Sequence, residues 1–172
     1  KIAESFCRSF GLPVITARPF NTFGPRQSAR AIIPTIITQL LSGEREIKLG
    51  SLIPTRDLNY VKDVCEGFLA LAKCDDAIGK TVNICSGQEV SMRELAGMIM
   101  RVINPEAMIV NDDQRIRPEE SEVERLLGDN TLIKELTGWT PETDLMTGLL
   151  ETIAWFRENS ALKGYKPYIY NL

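Results

Sequence analysis

An α/β fold with a parallel sheet is predicted, on three observations. Two short apolar runs rich in β-branched residues, VITARPF (14–20) and KTVNICSG (80–87), have the pattern of strands buried on both faces. Amphipathic helical segments alternate with them, which is the order of a parallel sheet covered by helices. The 172 residues are 44% hydrophobic and 25% charged, enough for one globular core or for one domain with a small added lobe.

KIAESFCRSF (1–10) reads as a helix, with Ile2, Phe6 and Phe10 four apart on one face. Gly11 and then Pro13 end it. No cap or turn precedes Lys1, and proteins rarely start in mid-helix, so the chain is expected to continue a longer protein. After the strand at 14–20, NTFGPRQ (21–27) reads as a loop. Residues 31–42 read as a helix with Pro34 tolerated in the first turn and Gly43 as its stop. IKLGS (47–51) is a strand and TRDLNYV (55–61) another with weak alternation. Residues 62–73 form an amphipathic helix, with Val64, Phe68, Leu71 and Ala72 on the face expected to be buried. The run 80–87 is closed by a Ser-Gly turn.

Ser91 followed by Glu94 is the signature of a capping box before a helix at 92–102. AMIVN (107–111) is a short strand, and 112–120 is charged and irregular. A short helix at 129–136 is stopped by Gly138. The clearest amphipathic helix is 144–158, with Leu145, Leu149, Ile153 and Phe156 on one face. The tail KGYKPYIYNL has no pattern. The strands are few for a complete doubly wound sheet, so a partner half with further strands is expected.

Charge and composition narrow the function. Twenty basic and 23 acidic residues are well mixed, giving a net charge of −3. No basic face points to nucleic acid, and an anionic ligand must be held by a few placed arginines. There is no histidine, which removes Ser-His and Cys-His catalysis. Cys7, Cys65, Cys74 and Cys85 lack metal-ligand spacing and read as reduced thiols; no metal site is expected. No signal peptide and no membrane-spanning run is present, so a cytoplasmic protein without a membrane partner is expected.

The motifs carry more. TARPFNTFGPRQ (16–27), IIP (32–34), TRDLNYVKDV (55–64), RPEESEVERLLGD (117–129) and GWTP (138–141) occur in the order and spacing of one family. Together they resemble the extended short-chain dehydrogenase/reductases that act as NAD-dependent nucleotide-sugar epimerases and dehydratases. The string RPFNTFGPRQSARAIIPTIITQ is most similar to 4,6-dehydratases of N-acetylglucosamine nucleotides, as in legionaminic acid pathways. The resemblance covers residues 1–172 as a carboxy-terminal, substrate-binding part. It implies the last strands of a Rossmann-like sheet plus a small mixed α/β lobe, and an absent amino-terminal half that binds most of the NAD.

Residue by residue, the resemblance implies these roles. Lys1 matches the lysine of the family's catalytic Tyr-x-x-x-Lys pair, which holds the nicotinamide ribose and lowers the tyrosine pKa by its charge. Pro19 lies beside the nicotinamide. Asn21 follows the carboxyl end of a strand, where ligands of open α/β sheets bind, and its amide can donate to the diphosphate. Ile32, Ile33 and Pro34 open a helix whose amino end contacts the base and ribose. Gly50 and Arg56 belong to the segment that binds the diphosphate, Arg56 as a two-pronged phosphate ligand. Arg117, before Pro118, is a second phosphate clamp. Arg26 and Gln27 read equally as phosphate contacts or as solvated loop. Asp57 reads as a residue that orients its loop, and Asp63 as structural at a helix start.

The implied reaction removes hydride from C4 of a UDP- or GDP-sugar and eliminates water across C5 and C6. A 4-epimerase and a non-catalytic nucleotide-sugar-binding module are the alternatives. A homodimer paired through the helix that carries the Tyr-x-x-x-Lys motif is also implied.

Overall fold

The computed structural model describes residues 1–115 and 123–158. Its α-helices are α1 (Ile2–Phe10), α2 (Ile32–Leu41), α3 (Val61–Ala72), α4 (Met92–Ile103), α5 (Thr131–Thr137) and α6 (Leu145–Glu158). Its strands are β1 (Thr16–Pro19), β2 (Asn21–Phe23), β3 (Glu46–Leu49), β4 (Thr55–Arg56), β5 (Leu58–Tyr60), β6 (Thr81–Ile84), β7 (Val90–Ser91), β8 (Met108–Asn111) and β9 (Arg125–Leu126). The chain forms two compact units. One is built from Lys1–Thr22, Asp57–Glu89 and Leu127–Asp144, the other from the remaining described residues.

In the first unit, β1 and β6 run parallel in register, from Thr16 against Thr81 to Pro19 against Ile84. The α/β expectation with parallel pairing therefore holds. Helix α3 packs on β1, β5, β6 and α5, over a core of Val64, Leu71, Ala77, Val82, Ile84 and Ile133. The approach is close because residue 67 is glycine: a Cβ there would lie 2.7 Å from Ile84 Cγ2 and 3.3 Å from a Trp139 ring carbon. Asp63, in the first turn of α3, is buried and accepts from the backbone of Glu142 and from the backbone and hydroxyl of Thr143. It is structural, as expected, through the turn at 142–143.

The second unit holds β3 parallel to β8, with α2 packed on β3, α4 and α6. Ile33, Ile36, Ile37, Leu40, Ile47, Leu95, Ile99, Leu149, Ile153 and Phe156 are all buried. The buried Gln39 binds α2 to β3, its Oε1 accepting from Lys48 N at 2.8 Å and its Nε2 donating to Lys48 O at 3.2 Å. Strand β4 lies between β7, antiparallel, and β9, parallel. Helix α4 starts in the expected capping box: Ser91 Oγ accepts from Glu94 N at 3.1 Å while Ser91 N donates to Glu94 Oε2 at 3.0 Å. That backbone N–H, with the Ser91 hydroxyl, holds the Glu94 carboxyl below the usual range.

Three expectations need correction. Asn21–Phe23 is a strand paired with β5 where a loop was expected. TRDLNYV is two strands, β4 and β5, broken at Asp57, whose side chain turns inward for hydrogen bonds described below. Phe68 and Ala72 are exposed; the buried stripe of α3 is instead Asp63, Val64, Gly67 and Leu71, because the helix docks through Gly67. The tail beyond residue 158 lies outside the described residues.

Among the described residues no helix is long and apolar enough to cross a membrane. Among them, too, no group of three or more Cys, Asp or Glu side chains is placed to hold a metal ion.

Candidate functional site

The carboxyl ends of β1 and β6 lie side by side in the first unit, and Phe20 N donates to Ile84 O at 3.0 Å just past their last pair. Two segments leave this edge: Phe20-Asn21 after β1, and Cys85-Ser86-Gly87 after β6. This is the end of a parallel sheet at which ligands of α/β folds bind. Pro19 and Asn21 are both exposed there. Their positions follow from the strand: Pro19 ends it, since proline lacks an N–H to continue a ladder.

A third segment, Gly128 to Asn130, joins the edge. Asn130 Nδ2 donates to the carbonyls of Cys85 and Ser86, at 3.0 and 3.2 Å. Gly128 is buried against Cys85 and Phe20: a Cβ on it would lie 2.6 Å from Cys85 Cβ and 3.0 Å from the Phe20 ring. No side chain fits between them.

The 85–87 and 128–130 segments converge on Asp57, which is fully buried. Its carboxylate accepts five hydrogen bonds: Oδ1 from Asn59 Nδ2 (2.9 Å), Ser86 N (3.0 Å) and Ser86 Oγ (2.7 Å), and Oδ2 from Gly87 N (3.0 Å) and Gly128 N (3.1 Å). Buried carboxylates persist only when satisfied in this way. Asp57 is thus a backbone clamp with both oxygens committed, and it is not placed to act as a base.

The Cys85 thiol is pushed up to about 12, first by burial and then by the Asp57 charge beside it. An unfolded thiol ionises near 9.0, so this group favours the folded state fully below that pH. Stability is expected to fall as pH rises from about 9 towards about 12, a slope that Cys85→Ala should remove. Under native conditions Cys65, exposed on α3, should react first with Ellman's reagent, and Cys85 only on unfolding. Rapid native labelling of Cys85, read by peptide mass, would contradict this packing.

The other residues expected to act stand as follows. Lys1 caps the amino end of α1, exposed, with Nζ 2.9 Å from Glu4 Oε2. In the second unit, Ile33 is 1% exposed and Pro34 is buried, so their side chains belong to the core. What α2 offers at its start is backbone. Gly50 is explained by contact: a Cβ there would collide with the Arg115 carbonyl. Arg56 is half-buried on β4, and its Nη1 donates to Thr55 O at 2.8 Å. Arg26 adopts the left-handed conformation at φ 66° and is exposed. Arg117 lies outside the described residues.

The structure brings Pro19 and Asn21 together with Asp57, Ser86, Gly87, Gly128 and Asn130. Of these last five, the sequence assigns a role of its own only to Asp57; Ser86-Gly87 reads there as a turn, and Gly128 lies unremarked within the 117–129 block. The LLGDN segment gives just a turn-like Gly-Asp-Asn, and Cys85 looks like any buried thiol.

Residues 1–152 match the family model described as GDP-mannose 4,6 dehydratase. The chain belongs to that family. Among curated relatives, the GDP-6-deoxy-D-mannose reductase of Pseudomonas aeruginosa is 32% identical over 156 residues, which cover 86% of this chain and 50% of that protein. Two solved structures extend the likeness. One is the epimerase Mth375 of Methanothermobacter thermautotrophicus, with a TM-score of 0.86, 27% identity, and coverage of 95% of this chain and 49% of that one. The other is a DesIV double mutant, a dTDP-glucose 4,6-dehydratase of Streptomyces venezuelae with NAD and DAU bound. It has a TM-score of 0.80 and 26% identity, covering 96% of this chain and 50% of that one. The chain spans about half the length of the family members it matches. Reductase, epimerase and dehydratase thus share this architecture, so the family fixes the fold and leaves the reaction open.

Proposed function

We propose that residues 1–172 are the carboxy-terminal, nucleotide-sugar-binding part of an NAD-dependent nucleotide-sugar 4,6-dehydratase. The observation that carries this reading is the placement of Pro19 and Asn21, exposed at the carboxyl end of a parallel strand, in a chain of this family.

In this reading Lys1 donates to the nicotinamide ribose hydroxyls, and its exposed, movable ammonium suits that task. Pro19 presents a flat apolar surface to the ring. Asn21 donates its amide hydrogens to diphosphate or sugar hydroxyls. Arg56, with Arg117, clamps the diphosphate through paired N–H groups. The amino end of α2, Ile32 to Pro34, faces base and ribose through backbone, and Gly50 lets its own segment lie against Arg115. NAD, when bound, supplies acceptance and return of the C4 hydride; the amino-terminal half of the longer protein binds most of it. The bound NAD in the dTDP-glucose 4,6-dehydratase structure supports this choice of cofactor.

Two further points belong to the same reading. Ile2, Phe6 and Phe10 are 79%, 47% and 73% exposed along α1, an apolar face that supports a homodimer paired through this helix. Four free thiols support a cytoplasmic location. A 4-epimerase is the second reading, favoured by the TM-score of 0.86 to an epimerase.

The test is to incubate the full-length protein with NAD and a panel of UDP-, GDP- and dTDP-sugars, N-acetylglucosamine nucleotides included, and weigh the products. Loss of one water from one substrate is expected. A product of unchanged mass with inverted C4 selects the epimerase, and no change in any sugar rejects both.

A further inference from the structure

We propose that Asp57 is a positioning residue for nucleotide-sugar binding: it fixes the Ser86-Gly87 and Gly128 amides beside the sheet edge that carries Asn21, and does not touch the ligand. The inference rests on the nucleotide-diphosphate reading given above and deepens it.

The carboxylate joins segments 29, 30 and 71 residues away in sequence. Each is tied through its backbone N–H, so what Asp57 fixes is main-chain course. It directly follows Arg56, and Gly128 comes two residues after Leu126, the β9 partner of Arg56. Ser86 and Gly87 are the first residues past the carboxyl end of β6 but one, on the edge shared with Asn21. A loop at such an edge has no ladder to hold it, and Asp57 supplies the acceptors that a strand would.

A structural role alone is the competing explanation, and the fold contains its own control. Asp63 is also buried and also accepts three hydrogen bonds from a distant turn, at 142–143, yet none of its partners belongs to the segments that Asp57 ties.

Asparagine at 57 keeps the shape but turns one oxygen into an NH2 group. Whichever way it faces, that group meets N–H donors: Gly87 and Gly128 on one side, Asn59 and Ser86 on the other. One segment must then leave the clamp.

The experiment measures Kd for UDP and for GDP by titration calorimetry of the full-length protein, with kcat and KM for its sugar nucleotide and a thermal melt. The variants are Asp57→Asn, Ser86→Ala, Asp63→Asn and Arg56→Ala. Asp57→Asn is expected to weaken the preferred diphosphate about tenfold and to raise KM in parallel, leaving kcat within about threefold. Ser86→Ala, which removes one of the five hydrogen bonds to Asp57 and leaves the carboxylate in place, is expected to weaken it about threefold and keeps the question open to measurement if Asp57→Asn does not fold. Asp63→Asn is expected to lower the melting temperature and leave Kd unchanged. Should Asp57→Asn and Ser86→Ala bind as wild type while Arg56→Ala does not, the positioning role is overturned and the diphosphate reading survives. Should Asp63→Asn weaken binding as much as Asp57→Asn, the effect is one of stability and the proposal falls. An Arg56→Ala protein that binds as wild type overturns the diphosphate reading itself.

Discussion

Replacing Arg56 by alanine in the full-length protein should weaken nucleoside diphosphate binding about 100-fold. The estimate follows from chemistry and placement together. Hydrogen bonds to charged groups contribute about 1.5–3 kcal/mol each, and a guanidinium presents them in pairs that match phosphate oxygens. Loss of one such pair is therefore about 3 kcal/mol. The placement makes the group rigid: Arg56 is on β4, paired on one side with Val90 and on the other with Leu126. Its Nη1 is further steadied on the Thr55 carbonyl at 2.8 Å. Arg56→Lys keeps the charge and loses the fork, so its affinity should fall about tenfold, between the two. Titration calorimetry with UDP, GDP and dTDP reads both variants. Equal affinity for Arg56→Lys and wild type would mean that a point charge suffices and that paired phosphate recognition is not what Arg56 provides.

Gly67→Val should be the most damaging single change to the fold. Glycine in the middle of a helix costs about 1 kcal/mol relative to alanine, so α3 carries it against its own propensity. The reason is contact: α3 and β6 approach so closely that a Cβ at 67 would sit 2.7 Å from Ile84 Cγ2. A valine must push β6 or the Trp139 ring aside. Overpacking of this kind costs about 2 kcal/mol or more, which corresponds to about 5 °C in Tm for a chain of this size. Gly67→Ala should be milder, because the gain in helix propensity offsets part of the clash. A thermal melt of the full-length variants checks the order. Because β6 leads straight into Ser86 and Gly87, Gly67→Val should also weaken diphosphate binding, whereas a core change in the second unit such as Ile153→Val should lower Tm alone. A Gly67→Val protein with unchanged Tm would show that the helix does not need this close approach.

The fold was legible where local chemistry decides it. Gly11 and Gly138 adopt the left-handed conformation, at φ 66° and 72°, and end their helices where expected. The Ser91–Glu94 box starts α4, and the two apolar runs became β1 and β6, paired in parallel but not buried on both faces as expected, since Arg18, Pro19 and Thr81 are exposed. What the sequence hid depends on contacts made at long range. Asn21–Phe23 has loop-like residues and becomes a strand because β5 lies beside it. Phe68 sits at a position that helical periodicity assigns to the core, and it is exposed because Gly67, with no side chain to show a preference, sets the face that docks.

The candidate site divides in the same way. Asn21, Arg56 and Lys1 could be named because each is a polar group in a recognisable motif. Gly128, Asn130 and Cys85 could not, since their contribution is the absence of a side chain, a donor to two carbonyls and a filled gap. The depth of Asp57 was also invisible: one carboxylate satisfying donors from both 86–87 and 128 is a property of the folded chain. Ile33 and Pro34 differ in another sense, their side chains being used for packing in the core.

The central claim is that this chain serves an enzyme that oxidises a nucleotide sugar at C4. The most direct measurement gives the full-length protein NAD and its nucleotide sugar labelled with deuterium at C4, and locates the label in the product by NMR. The account predicts deuterium at C6 of a product that has lost one water. Label that stays at C4 in unconverted sugar, for every nucleotide sugar offered, would contradict it.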